Sequence, residues 1–133
     1  MSAEKTIPIT HESDIVAARR AGRELASQIG FTGTDLTLIA TAISEVARNI
    51  VSYAKRGEVV LGAAERQGIR GISIVARDEG PGIADINLAL QDGYSTAKSL
   101  GLGLPGARRL MDDFEIDSAP GRGTTVTMHK WVL

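Results

Sequence analysis

The apolar residues of this chain change period at Glu58, and that change sets which folds are open to it. Before it, Ile15, Ala18, Gly22, Leu25 and Ile29 recur at helical spacing. Leu36, Ile39, Ala40, Ile43, Val46, Ala47, Ile50 and Tyr53 then hold the same spacing for about five turns. After it, Val59-Val60-Leu61 and Ile72-Ser73-Ile74-Val75-Ala76 read as strands, joined by a hairpin turn around Gly68 to Gly71. Ser13 or Asp14 can cap the first helix, Gly30 stands where a left-handed C-cap falls, and Thr34-Asp35 opens the second helix. Lys5 to Ile9 reads as a short first strand, at an edge where Pro8 is tolerated. A third helix is expected from about Leu104 to Phe114, with Pro105 in its first turn. Phe114 to Asp117 and Thr124 to Trp131 close the chain as strands, turning at Pro120-Gly121-Arg122-Gly123. From Asp78 to Leu102 runs an irregular stretch, interrupted by a turn of helix at Asp85 to Leu90; loops of such length are usually functional or mobile. Helices on one face of a mostly antiparallel sheet make the class α+β. Neither a repeat nor a linker interrupts residues 1–133, so one domain is expected.

Charge and composition narrow the function classes. Fifteen Lys and Arg against sixteen Asp and Glu leave a formal charge of −1, without the basic footprint a nucleic-acid partner requires. Cysteine is absent, which excludes disulfides and thiolate metal sites. No basic start precedes an apolar run, and no stretch approaches ~18 apolar residues, so a membrane partner is excluded and a cytoplasmic location expected. The fifteen glycines, gathered mainly after Gly57, point to loops where backbone closely approaches something else.

Four groups of residues can carry chemistry. Glu45 and Asn49 are four apart in the second helix and project from one face, at the margin of the core. Such a pair is common on helices, but one amide oxygen with one acid also suits Mg²⁺, which prefers oxygen ligands while bridging phosphates. Asp78-Glu79-Gly80-Pro81-Gly82 follows a strand directly, so the Asp78 carboxylate can accept a hydrogen bond in a sheltered pocket while Gly80 and Gly82 let the chain turn around a flat ligand. Pro81 and Ile83 stand where an EF-hand needs further acids. Gly101-Leu102-Gly103-Leu104-Pro105-Gly106 matches the dinucleotide fingerprint in letters only: it follows a polar segment late in the chain rather than the first buried strand. It does open a helix, whose N-terminus suits a phosphate, and Lys98 can lend a charge. A P-loop is excluded because no Gly-Lys-Ser/Thr is present. Gly121-Arg122-Gly123-Thr124-Thr125 is a hairpin turn that could also bring the Thr124 or Thr125 hydroxyl near a base. His11 and His129 receive no chemical role, and Trp131 is read as packing.

Taken in order, Ser44-Glu45-Val46-Ala47-Arg48-Asn49, Asp78-x-Gly80-x-Gly82, Gly101-x-Gly103 and Gly123-Thr124-Thr125 resemble the N box and glycine boxes of Bergerat-fold (GHKL) ATP-binding domains. The resemblance runs from about Thr34 to Trp131. Within that superfamily the chain is similar to the serine-protein kinases of the anti-sigma-factor and stressosome group, above all its switch-kinase branch. It shares with that branch the Ile43–Ile50 and Leu110–Phe114 stretches, the Asp14–Arg19 start and Asp92-Gly93-Tyr94-Ser95-Thr96. This resemblance implies a two-layer sandwich with a mixed, mostly antiparallel sheet, about three helices on one face, and a mobile ATP lid. It implies that Asn49 ligates Mg²⁺, that Asp78 receives the adenine amino group, and that Glu45 is general base on the attacking hydroxyl. Gly80, Gly82, Gly101 and Gly103 would then shape the pocket and lid.

The implied substrates are STAS-domain proteins of the stressosome, scaffold and antagonist, with the kinase released to activate a downstream effector. The lid between Thr96 and Gly101 is shorter than in sigma-binding kinases of the group, which favours the switch-kinase branch over an anti-sigma factor kinase. A non-catalytic, nucleotide-dependent partner-switching module is the remaining alternative. No helical segment with a phospho-acceptor His is seen, so a complete sensor histidine kinase is not expected, nor is a fragment of a topoisomerase or chaperone.

Overall fold

The computed structural model describes residues 4–82 and 103–133. Its elements are β1 (Lys5–Ile9), α1 (Glu12–Ile29), α2 (Thr34–Asn49), a π-helical turn (Ile50–Ala54), β2 (Gly57–Arg66), β3 (Ile69–Asp78), α3 (Gly103–Leu110), β4 (Asp113–Ala119) and β5 (Gly123–Trp131). The strands form one sheet in the order β1-β2-β3-β5-β4, and each pairing is antiparallel. The expected mixed sheet is therefore corrected for the described residues. β3 and β4 run the same way, but β5 inserts between them and pairs with both, so no parallel ladder forms.

Alternation along the strands divides the sheet into two faces. Val59 and Leu61 of β2, Ile72, Ile74 and Ala76 of β3, and Val126 and Met128 of β5 point to one of them. There they pack against Ile15 and Ala18 of α1 and Ile39, Ile43, Val46 and Ala47 of α2. Burial of a side chain such as Ile74 contributes roughly 1.5–3 kcal/mol. α2 is the central helix, in contact with both α1 and α3, and every residue from Ala42 to Ala47 is buried. α1 approaches α2 closely at Gly22, where a Cβ would run into the Ile43 side chain.

Several expected boundaries move, each for a local reason. α1 starts at Glu12 with His11 in extended conformation as its N-cap. Asp14 is therefore not the cap; from inside the first turn its carboxylate accepts from the backbone N–H of Thr10 (2.8 Å) and His11 (2.9 Å). These bonds, that to Thr10 first, hold its pKa below the ordinary 3.8. The hairpin turn is Gln67-Gly68, both at positive φ (53° and 81°), the combination that fits the twist of the flanking strands. Gly71 is consequently inside β3, paired with Ala64 and Trp131. α3 ends at Leu110 rather than Phe114 because Asp112 and Asp113 are drawn onto β5. The Asp112 N–H donates to the His129 carbonyl (3.0 Å), and the Asp112 carboxylate accepts from the Trp131 N–H (2.8 Å).

Candidate functional site

Glu45 lies in the fully enclosed part of α2, 7% exposed, and its Oε2 has no hydrogen-bond partner among the described residues. A buried polar atom left unpaired costs roughly 1–3 kcal/mol, so its retention points to a ligand or proton that satisfies it. Asn49, one turn on, is half-buried and ends the regular helix. The chain then widens into the π turn, closed by the Lys55 N–H donating to the Ile50 carbonyl at 2.8 Å. Such turns are frequent at functional sites. Here the turn brings Ala54 against Gly80: a Cβ at Gly80 would stand 2.6 Å from the Ala54 Cβ. The end of the π turn and the loop after β3 are thus held side by side. A carboxylate with one unsatisfied oxygen and an amide one helical turn away fit a cation carrying phosphate oxygens, the donor set a magnesium nucleotide needs.

Asp78 is the last residue of β3, half-buried, and pairs across the sheet with Gly57 on one side and Thr124 on the other. Its Oδ1 accepts the Gly80 N–H at 2.9 Å, which fixes the carboxylate and leaves Oδ2 without a hydrogen bond among the described residues. Two glycines make this corner possible. At Gly82 (φ 80°) a Cβ would strike the Ala119 carbonyl, and at Gly123 (φ 78°) it would strike the Asp78 carbonyl. The Gly121 N–H donates to the Pro81 carbonyl at 2.7 Å, tying the β4–β5 turn to the same loop.

The two threonines part company. Thr124 shares the helix-bearing face with Asp78 and is buried, with its hydroxyl 2.8 Å from that of Ser118. Thr125 pairs with Arg77 on the opposite face. It lines an open cleft of about 480 Å³ together with Thr10, Glu58, Arg77, Asp78 and Glu79. Gly103 opens α3 at φ 47°, ahead of buried Leu104 and Pro105. Lys98, Gly101, the lid and the helical turn at 85–90 lie outside the described residues.

Sequence reasoning missed Ser118. The signal was available: Phe114 and Ile116 face the core from β4, so the next residue of that alternation is a serine turned inward. Among the described residues no group of His, Asp and Glu is arranged to hold a metal by itself, and no helix is long and apolar enough to cross a membrane.

Comparison with known proteins adds to this geometry. Residues 7–130 match the model of the histidine kinase-like ATPase domain. The chain belongs to that family. Among the relatives of this ATPase, the serine/threonine-protein kinase RsbT of Bacillus subtilis is 46% identical over 99% of both chains. The anti-sigma F factor of Thermoanaerobacter sp. is 32% identical, over 86% of this chain and 83% of its own length. In fold, this ATPase is similar to the mycobacterial sensor histidine kinase MprB, with a TM-score of 0.58 at 19% identity and 97% of each chain covered. The α+β architecture of the family is the one seen here, a sheet with one face under helices.

Proposed function

We propose that the chain, as a single domain over residues 1–133, is an ATP-dependent protein serine/threonine kinase that also switches partners. The observation that carries this reading is the buried Glu45, whose Oε2 has no hydrogen-bond partner among the described residues, one helical turn before Asn49. A nucleotide-storage site needs no spare acid. A kinase needs one to receive the proton of the attacking hydroxyl. In this reading Asp78 accepts from the adenine amino group, Gly80 and Gly82 shape the pocket floor, and Gly101, Gly103 and Lys98 serve the phosphates and lid. Mg²⁺, held through the Asn49 side-chain oxygen, would neutralise phosphate charge. The acceptor oxygen bonds to the γ-phosphorus as its proton passes to Glu45, the bond from phosphorus to the β-bridging oxygen breaks, and ADP leaves.

The acceptors in this reading are Ser or Thr residues of STAS-domain stressosome proteins, scaffold and antagonist, and the kinase then passes to a downstream effector in the cytoplasm. The likeness to RsbT along the whole chain supports the kinase, and the anti-sigma F factors among its relatives support partner switching. Transfer of labelled phosphate from ATP to such a partner is the test, with Asn49→Ala and Asp78→Asn as controls. Undiminished transfer by the Asn49→Ala protein sinks the site assignment. A second reading, an anti-sigma factor kinase, has the 32% identical anti-sigma relatives in its favour and predicts that a sigma factor is recovered with the chain in a pull-down.

A further inference from the structure

Arg48 follows Glu45 by three residues and precedes Asn49, so the three side chains fan out around α2. At about 100° per residue, Asn49 stands about 40° to one side of Glu45 and Arg48 about 60° to the other. The Asn49 side is the one given to the magnesium nucleotide above. On the other side Arg48 meets α1, in a cleft of about 330 Å³ lined with Glu12, Ser13, Ile15, Val16 and Arg19. Its Nε is buried and has no hydrogen-bond partner among the described residues. Glu12 lines the same cleft without forming an ion pair with it. A second cleft of about 330 Å³ shares Val16 and Arg19 with the first and adds Arg20, Arg23, Thr37 and Thr41. Thr37, Thr41 and Arg48 fall on one line of α2, so the two clefts make one groove between the helices. Its four arginines form no ion pair among the described residues, and Val16, 41% exposed, is its apolar centre.

We infer that Arg48 anchors the acceptor protein by a carboxylate, supplied by an Asp or Glu close to the hydroxyl that receives the phosphate. In-line transfer brings the attacking oxygen from the side opposite the leaving ADP. The acceptor therefore reaches Glu45 from the side away from the nucleotide, which is where Arg48 opens into the groove. The Nε–H and the neighbouring terminal N–H are two parallel donors, the fork that takes a carboxylate through both its oxygens. A buried N–H left unpaired costs free energy, so an anion that reaches it gains more than at a solvated arginine. The remaining arginines complement an acidic protein surface, and Val16 gives an apolar side chain a contact that a free phosphate cannot use. The inference rests on the kinase reading above and deepens it, from any protein hydroxyl to one marked by a nearby acid.

The experiment measures phosphate transfer from ATP to the STAS-domain acceptor of the assay above, with ATP affinity, melting temperature and sedimentation recorded for each variant of the full chain. Arg48→Ala should raise the KM for the acceptor by about ten- to a hundredfold, as expected for a hydrogen bond to a charged group. The kcat should fall by less than about threefold and ATP affinity should stay within about twofold, because the lost contact is to the acceptor alone. Arg48→Lys, which keeps the charge but not the fork, should fall between the two. On the acceptor, Asn or Gln in place of each Asp or Glu around the phosphorylated residue supplies the other half of the pair. One such change should raise KM as much as Arg48→Ala and add nothing when combined with it. Should Arg48→Ala fail to fold, Arg48→Met, which keeps the packed stem, takes its place. A folded variant with the wild-type acceptor KM, or acid replacements that are all additive with it, overturns the inference. So does a variant that loses ATP affinity, which assigns Arg48 to a nucleotide phosphate, or one that sediments differently, which assigns the groove to a second copy of the chain. If Asn49→Ala abolishes transfer while Arg48→Ala changes nothing, only this inference fails. If the wild-type chain transfers no phosphate, the kinase reading fails and the inference with it.

Discussion

Both faces of the sheet carry polar residues, and they hold them in opposite ways. On the helix-bearing face the polar groups are short: Asp78, Thr124 and Ser118 stand at the ends of rows of Ile, Val and Met, bonded to backbone or to each other. On the other face they are long. Arg77 pairs with Glu58 at 2.9 Å, with side chains 54% and 40% exposed. Farther along, Trp131 lies over Gly71, where a Cβ would strike its ring. The Arg66 guanidinium sits 4.4 Å above its centroid, His129 stacks on it at 5.4 Å, and its Nε1–H donates to Asp113 at 3.0 Å. Short side chains under helices have few rotamers and little solvent to screen them, so their geometry can be selective. Long side chains in water give redundant, screened contacts that stabilise a surface without defining a ligand.

Substitutions on each face test this contrast. The largest effect should come from Ile74→Ala in the covered row, destabilising by about 2–5 kcal/mol in denaturant unfolding. A loss below that range would mean that the helices do not seal the face. Trp131→Ala should cost about 1–2 kcal/mol through its stacking partners, with ATP affinity unchanged. A matching loss of nucleotide binding would show the two faces to be coupled. Thr124→Val should weaken ATP by about fivefold, whereas Thr125→Val, one residue away on the opposite face, should not. Equal effects would break the division altogether. Arg77→Ala should change stability by about 1 kcal/mol or less, and by less still at high salt.

The smallest expected effect belongs to neither face. Asp14 has a depressed folded pKa, so its contribution is present above the ordinary 3.8 and is lost as pH falls through the folded value. The melting-temperature gap between wild type and Asp14→Asn should therefore be open at neutral pH and close in acid below 3.8. A gap that widens in acid would contradict the sign.

Much of the site was legible because its residues carry local constraints. Glu45 and Asn49 share a helical face whatever surrounds them, and Asp78 follows a strand whose alternation is plain in the letters. The glycines at 82 and 123 announced close approach, and both prove to lie at positive φ against carbonyl groups. Residues whose meaning depends on a partner strand were harder to read. Thr124 and Thr125 are equivalent until β5 is placed in register with β3, since a shift of one residue exchanges the faces. The end of α3 failed for the same reason: residues 111–114 satisfy a helical pattern locally, but β5 offers Asp112 and Asp113 backbone and indole partners that a longer helix would forgo.

By itself, then, the order of residues determined the class of fold, the two helices and the pairs of groups able to meet a nucleotide, because periodicity and short-range geometry act within a few residues. Only the tertiary structure decided that Glu45 is sealed in with an oxygen unsatisfied among the described residues, that Thr124 and not Thr125 shares the helix-bearing face with Asp78, and that Ser118 turns inward to meet it. Those facts depend on which surfaces lose water and which strands lie in register, and both are set by contacts between residues far apart in the chain.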